Sequence, residues 1–296
     1  MKPLNPRMLL ALDTSTATLA YALLELRGKP DPAAGGEPAA VEPAGEVAVA
    51  DSRMWLTERN HSVLAVPEIR ELMARHGVRP EALAAVAVGR GPGSYTGVRI
   101  GVTVAKTLAW AWDKPLIGVS SLEALAFAAW EETREETERR ASIREEAPQP
   151  SDRLNRAADG LRIWFVPVMN ARRGDAYLAL FAGGPGRRWR REEEDGIRPF
   201  RGWAAGVLAS AKEAGAAEVR FVGEIEPFAG VIAELAAAAS VPVSGGPRQM
   251  DAAAVGKLAA RRYWRGERDD VHPFAPNYTQ LSEAEIKLAA RQAERP

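Results

Sequence analysis

The fold of this chain is decided by residues 89 to 101, whose sequence is Gly89-Arg-Gly-Pro-Gly-Ser-Tyr-Thr-Gly-Val-Arg-Ile-Gly101. An apolar run at 83–88 comes before this stretch and predicts a buried strand, and a helical pattern follows at about 98–112. A sharp elbow between strand and helix needs residues that accept unusual backbone angles, which glycine does without steric cost. We therefore expect a structural elbow built on Gly91, Gly93 and Gly97.

The elbow also has the chemistry of an anion site, because the first turn of a helix presents unpaired N–H groups. Ser94 and Thr96 are possible N-caps of that helix. However, the stretch lacks the Gly-Lys-Ser/Thr ending of a P-loop, and its glycines do not have the spacing of the dinucleotide fingerprint. The spacing alone leaves a binding role and a structural role equally open.

The first half of the chain has the pattern of an α/β layer fold with a mixed sheet. Its predicted elements are strands at 8–12, 19–26 and 46–55, a helix at 60–76 capped by Asn60 or Ser62, and a strand at 116–119. Residues 27 to 46 are rich in Gly, Pro and Ala, which predicts a disordered or extended hairpin tip.

The second half repeats the α/β character with fewer predicted strands. A helix at 121–130 leads into a charged insertion at about 131–159, which is either a solvated helix extension or a flexible segment. The stretch 187–195 places five basic and aromatic residues before four acids, which predicts a self-neutralising surface loop. The further predicted elements are strands at 163–169, 176–181, 217–223 and 241–243, and helices at 226–239 and 251–265.

Composition excludes several classes of protein. The formal net charge is zero, whereas a chain that mainly grips a nucleic-acid backbone usually has a basic excess. There is no cysteine, so disulfides and thiolate metal sites are excluded. The sequence has no apolar run long enough to span a membrane and no signal-peptide pattern at its start, so we expect no membrane association.

The elbow sequence resembles the signature of the bacterial TsaB (YeaZ) family. Further segments fit that family in order along the chain: Leu10–Thr16, Arg59–Ser62, Pro115–Leu122, Asn170–Tyr177 and Pro276–Glu285. The resemblance implies an actin/hexokinase-like (ASKHA) α/β fold of two ribonuclease-H-like lobes, the second one degraded. It places the partner-binding lobe at 1–118 and the C-terminal lobe at 119–296.

The same resemblance implies a non-catalytic scaffold and activator in the synthesis of N6-threonylcarbamoyladenosine at position 37 of tRNA. The expected partners are the catalytic TsaD subunit and the ATPase TsaE subunit, with a homodimer when the chain is alone and tRNA held mainly through the complex. ATP or ADP, Mg²⁺ and threonylcarbamoyl-AMP are expected on the partner subunits, with no cofactor bound by this chain alone. The expected location is the cytoplasm.

Helix 60–76 is the first candidate for the partner interface, because its apolar residues spread over a wider arc than one core-facing stripe needs. One explanation is deep burial, and the other is a second apolar face that docks on a partner. The interface candidates on this helix and on the elbow are His61, Leu64, Ile69, Leu72, Met73, Ser94, Tyr95 and Arg99.

Two enzymatic alternatives stay open at the level of sequence. Asp13 follows the first strand, where kinase-like members of the superfamily hold the acid of the phosphate site, but Asp-Thr-Ser also favours a local turn. A stand-alone ATPase or kinase would need an adenosine loop, for which Gly183–Gly186 and Gly245–Pro247 are the candidates. A peptidase would need Ser62 and His61 to act together. The three histidines are not spaced to share a metal ion, so we expect no metal site and no catalytic residue.

Overall fold

The computed structural model describes residues 7–27, 45–56, 60–145, 161–185 and 187–279. Within these ranges the chain forms two five-stranded sheets, with α-helices on both faces of each. The predicted hairpin tip lies, apart from its two ends, outside the described residues, and so does the part of the charged insertion after residue 145.

Sheet 1 is mixed and has the strand order β3-β2-β1-β4-β5. The first three strands form an antiparallel meander, and β4 and β5 run parallel to β1. This confirms the predicted order of three early strands followed by helix, strand, helix and strand. The strands are β1 (Arg7–Asp13), β2 (Thr18–Arg27), β3 (Glu46–Leu56), β4 (Leu83–Gly89) and β5 (Leu116–Val119).

Sheet 2 repeats the topology of sheet 1, with the order β10-β9-β6-β7-β8. Its first three strands are again an antiparallel meander, and its last two run parallel to β6. The two mixed sheets with helices on their faces confirm the predicted α/β class. The strands are β6 (Ile163–Arg172), β7 (Asp175–Gly184), β8 (Arg187–Pro199), β9 (Glu218–Gly223) and β10 (Val243–Pro247).

The expected truncation of the second strand set is wrong, because the predicted surface loop at 187–195 is the edge strand β8. An edge strand pairs with another strand on one side only and commonly carries charged side chains, so it needs little apolar sequence. The Trp189 ring supplies it here, stacking on Phe181 at a centroid distance of 5.1 Å. Most of the remaining side chains of β8 are charged and pair with each other or with adjacent elements.

Six α-helices complete the layers in the described part of the chain. Two of them pack on a sheet other than the one they follow. Helix α3 comes after sheet 1 in sequence but packs on β6 and β7, and α6 comes after sheet 2 but packs on β1 and β2. The helices are α1 (His61–Arg75), α2 (Tyr95–Ala111), α3 (Ser121–Glu145), α4 (Phe200–Glu213), α5 (Ala229–Ala238) and α6 (Ala252–Trp264). β5 ends one residue beyond the predicted lobe boundary at 118.

The period-two geometry of a strand explains how one apolar run serves two cores. In β1, Leu9 and Ala11 face the central core between the sheets, which α3 and α6 complete. Leu10 and Leu12 face the opposite way and pack under α1 and α2. Both faces of β1 are buried, which is why its sequence is a continuous apolar run instead of an alternating one.

Several helix boundaries differ from the sequence prediction. α2 begins at Tyr95, earlier than predicted, and the Ser94 hydroxyl accepts a hydrogen bond from the Gly97 amide as the N-cap. Asn60 is the N-cap of α1 but its side chain makes no capping bond, and Ser62 lies inside the helix. The charged segment continues α3 to Glu145, as the helix-extension alternative predicts. Helix α4 was not predicted.

Candidate functional site

The elbow after β4 packs directly against the turn between β1 and β2. Gly93 has a φ of 152°, and a Cβ there would lie 2.3 Å from the Ser15 carbonyl oxygen. A Cβ on Gly97 would lie 2.0 Å from the Thr14 carbonyl oxygen. Glycine is required at both positions because another part of the backbone occupies the space of a side chain. Gly91, with a φ of 90°, provides the third predicted turn residue.

Several polar groups of the elbow bond to the protein itself. The Ser94 amide donates to the Ser15 carbonyl oxygen at 2.7 Å, and the Thr14 hydroxyl donates to the Gly97 carbonyl oxygen at 2.6 Å. The Gly91 amide donates to the Ser121 hydroxyl at 3.1 Å. With these bonds made, the elbow is a structural joint that locks sheet 1 to the starts of α2 and α3.

Asp13 is fully buried at the same joint. Its carboxylate accepts hydrogen bonds from the Ser121 hydroxyl and the Ser15 amide, both at 2.6 Å. Burial raises the pKa of the Asp13 carboxyl above its ordinary value, although these hydrogen bonds oppose the shift. Gly89 leaves just enough room for this carboxylate, since a Cβ there would lie 1.7 Å from its Oδ2. The acid predicted as a vestigial phosphate residue thus joins β1 to α3.

The structure divides the interface candidates of helix 60–76 into core and surface positions. Ile69, Leu72 and Met73 are buried beneath α1 in the core under sheet 1, which corrects their assignment as residues available to a partner. His61 is also buried, with Nε2 3.3 Å from the Ala17 carbonyl oxygen, and Leu64 is half-buried.

The exposed apolar residues of this helix are Val63 and Val66, which are 68% and 48% exposed. Sequence analysis did not select either of them as an interface candidate. They lie beside a groove of about 400 Å³ between α1 and α2. We call this surface the α1–α2 face: Val63, Val66 and the groove residues Ser62, Tyr95, Thr96, Arg99, Ile100, Thr103 and Val104.

The elbow candidates lie on the same face and are completed by Tyr278. The Arg99 guanidinium carbon lies 3.9 Å from the centroid of the Tyr95 ring, and Arg99 Nε donates to the Tyr278 hydroxyl at 2.9 Å. Tyr95 and Tyr278 are both exposed, and Ser94 is exposed at the start of α2. Tyr278 belongs to the C-terminal segment that resembles the family signature. It is 179 residues from Arg99 in sequence, so the sequence alone does not predict this contact.

The structure does not bring the histidines or the serine candidate together. His61 and His76 lie at opposite ends of α1, about 22 Å apart for a helix of this length. His76 Nε2 lies 3.1 Å from an Asp51 carboxylate oxygen. Ser62 follows His61 directly, and adjacent helical side chains do not face each other. In the described ranges there is no group of three or more metal-ligating side chains.

A cavity of about 780 Å³ lies between the two lobes and is rich in arginine. Its arginines are largely matched by carboxylates: Arg191 pairs with Asp195 at 2.7 Å and with Glu123 at 3.0 Å. Arg262 likewise pairs with Glu267 at 2.7 Å and with Asp269 at 3.1 Å. The two candidate adenosine loops do not border this cavity at a helix start, because Gly183–Gly184 lie in β7 and Gly245–Pro247 in β10.

Comparison with known proteins identifies the family. The tRNA threonylcarbamoyladenosine biosynthesis protein TsaB of Bacillus subtilis is 32% identical over 292 residues, which cover 96% of this chain and 99% of that protein. The chain belongs to the TsaB family. The structure of YeaZ from Pseudomonas aeruginosa has the same fold, with a TM-score of 0.60 at 24% identity, covering 92% of this chain and all of that one.

This TsaB-family chain also contains a segment similar to a transferase family. The model described as "TsaD: tRNA N6-adenosine threonylcarbamoyltransferase" matches residues 55–138, a range that includes α1 and α2. The tRNA N6-adenosine threonylcarbamoyltransferase of Anaeromyxobacter dehalogenans strain 2CP-1 is 49% identical over 75 residues, which are 25% of this chain and 22% of that protein. Among the described helices, none is long and apolar enough to cross a membrane.

Proposed function

We propose that this chain is the non-catalytic subunit that docks on the TsaD transferase and supports threonylcarbamoyl transfer to adenosine 37 of tRNA. The observation that carries the proposal is the α1–α2 face, an exposed apolar surface on the part of the chain that is similar to TsaD. The TsaB family membership supports the pathway, since its relative in Bacillus subtilis is named for threonylcarbamoyladenosine biosynthesis.

Similar helices on the two partners favour a pseudo-symmetric contact. In a two-fold interface the same patch on each subunit meets its counterpart, and related chains that share the patch can form nearly the same contact as a heterodimer. Val63 and Val66 lie three residues apart on one side of α1, and Val66 is one helical turn from the groove residue Ser62, so both expose apolar surface on this side of the helix. The same face would serve a homodimer when the chain is alone.

The enclosed joint at Asp13 supports a role without catalysis. A carboxylate that organises phosphate and Mg²⁺ must reach them, whereas this one is fully buried and already accepts two hydrogen bonds. We therefore place ATP or ADP, Mg²⁺ and threonylcarbamoyl-AMP on the partner subunits, TsaD and the TsaE ATPase. Most of the tRNA would also be held by the complex, and the proposal implies a cytoplasmic location, where tRNA is modified.

The test is reconstitution of tRNA modification with the purified transferase and ATPase subunits. Val66→Glu places a charge on the α1–α2 face and should weaken association with the transferase by about 2 kcal/mol or more, roughly thirtyfold in Kd. Modification should fall in parallel, while the melting temperature stays at the wild-type value.

Leu161→Glu is the matched control, because it exchanges an exposed apolar residue for the same charge on the second lobe. It should leave both association and modification unchanged. Wild-type association and activity of Val66→Glu would show that the docking surface lies elsewhere.

A further inference from the structure

The hairpin loop between β6 and β7 holds two adjacent arginines in an unfavourable backbone conformation. The strands pair up to Arg172 and Asp175, and the φ angles of Arg172, Arg173 and Gly174 are 69°, 54° and 87°. In the described part of the chain Asp113 is the one other non-glycine residue with a positive φ. Tight hairpin loops with this backbone favour Asn, Asp and Gly, so the turn itself gives no reason for arginine.

The backbone of the loop is held by its neighbours, while both arginine side chains extend into solvent. The Asn170 Oδ1 accepts a hydrogen bond from the Arg172 amide at 2.9 Å, and a Glu224 carboxylate oxygen accepts one from the Asn170 amide at 2.8 Å. Arg172 and Arg173 are exposed, and neither guanidinium has a hydrogen bond, ion pair or ring contact to any described residue. Both guanidinium groups are therefore available to a ligand.

The surroundings of the loop are cationic and apolar. A cavity of about 530 Å³ beside it is lined by both arginines, by Arg201 and by an apolar side that includes Pro227 and Val231, and none of its lining residues is acidic. Arg201 forms an ion pair with Glu234 at 2.7 Å, and both side chains are exposed to solvent. Acidic groups close to the loop are Asp175, which closes the hairpin, Glu224, whose carboxylate is already bonded to the backbone, and Glu226, which precedes the lining residue Pro227.

The inter-lobe cavity shows what this chain does with arginines that have a structural role. There Arg191 pairs with three carboxylates and Arg262 with two. At the hairpin loop two arginines adopt a positive φ and pair with no carboxylate of the described residues. Unfavourable conformations that persist without a structural benefit point to binding.

We propose that the Arg172–Arg173 loop binds phosphate groups of the tRNA backbone. This inference rests on the proposed function, which brings tRNA to the complex. The planar guanidinium forks match the oxygens of a phosphate in bidentate geometry, and contacts of this kind orient RNA without reading its sequence. Because the net charge of the chain is zero, we expect it to contact only about two phosphates, while other subunits of the complex make most of the contacts with the RNA.

The test compares tRNA binding by the reconstituted complex containing wild-type chain or the Arg172→Asn/Arg173→Asn variant, across a salt series. Asparagine tolerates a positive φ, so the variant should melt at the same temperature or higher. The slope of log Kd against log salt should decrease by about one to two, because each lost phosphate contact removes roughly one unit. The control Arg139→Ala/Arg140→Ala removes two adjacent charges from α3 and should keep the wild-type slope.

Three outcomes would overturn the inference. An unchanged salt slope in the hairpin variant would show that the loop does not contact RNA, and a lower melting temperature would show that the arginines stabilise the turn. Inorganic phosphate that binds the wild-type chain but not the variant, together with tRNA binding that is the same for both complexes at every salt concentration, would assign the loop to a free anion. If the variant complex assembles and modifies tRNA with wild-type binding, only this inference fails, whereas failure of the wild-type complex to assemble refutes the proposed function.

Discussion

The elbow and the α1–α2 face are neighbours along α2, yet the elbow packs against another part of the chain and the face is exposed to solvent. At the elbow, Thr14 and Ser15 hydrogen-bond to Gly97 and Ser94 of the strand-to-helix turn, and side chains are excluded at Gly93 and Gly97. On the adjacent face, Val63, Val66 and Tyr95 expose apolar surface to solvent.

The difference shows that one signature contains two kinds of residue: Gly93 and Gly97 pack inside the joint, whereas Tyr95 and Arg99 lie exposed on the α1–α2 face. The elbow has the local geometry of an anion site, but its hydrogen bonds are made inside the protein. The signature preserves a joint that fixes the direction of α2, and the helix it directs carries the exposed groups. Substitutions on the two regions should therefore differ in kind: those at the joint should affect folding, and those on the face should affect association.

The largest difference in the free energy of unfolding is expected between substitutions on the two sides of α1. Leu72→Glu buries a carboxylate in the core under sheet 1 and should destabilise the fold by about 4 kcal/mol or more. Val63→Glu lies on the exposed side and should change the free energy of unfolding by no more than about 0.5 kcal/mol. Urea denaturation of the two variants measures this difference, and similar midpoints would contradict the division of the helix into core and surface.

A smaller effect is expected at the elbow. Gly93→Ala forces a Cβ toward the Ser15 carbonyl oxygen at a positive φ, and should cost about 2 kcal/mol or more. Gly202→Ala is the matched control, because Gly202 lies in α4 with open space around it and should gain about 0.5–1 kcal/mol. Thermal melts that show the same change for both variants would disprove the close packing of the elbow.

The pH dependence of stability tests the enclosure of Asp13. Because burial raises its pKa above 3.8 in the folded state, the folded chain keeps a proton that the unfolded chain releases. The stability contribution of this group is therefore greatest at low pH and falls as pH rises from about 3.8 through the folded pKa. Asp13→Asn should remove that decline, which unfolding measurements from pH 4 to 7 would reveal. Parallel profiles for wild type and variant would show that the carboxyl is not enclosed.

The smallest effect is expected from nucleotide. Since Asp13 is occupied by Ser15 and Ser121, Mg-ATP should leave the melting temperature of the isolated chain unchanged. A site with ligand at a hundred times its Kd would add about 2.7 kcal/mol of stability, which a thermal shift detects easily. A shift of that size, abolished by removing Mg²⁺, would favour the stand-alone ATPase or kinase over the scaffold.

The sequence by itself determined the local elements of the first lobe. Continuous apolar runs and the Gly-rich elbow depend on neighbouring residues, and the structure confirms them. The second lobe was less accessible because β8 has little apolar sequence. Its membership in the sheet depends on pairing with β7 and on one ring, Trp189, stacked on Phe181.

Only the tertiary structure decided which residues are core and which are available to a partner. Ile69 and Val66 are both β-branched and apolar and lie three residues apart, and hydrophobicity alone cannot separate a core face from an interface face. The position of sheet 1 beneath α1 buries Ile69 and leaves Val66 exposed. The partnership of Arg99 with Tyr278 is likewise a product of the fold, because contacts between distant segments depend on the path of the whole chain.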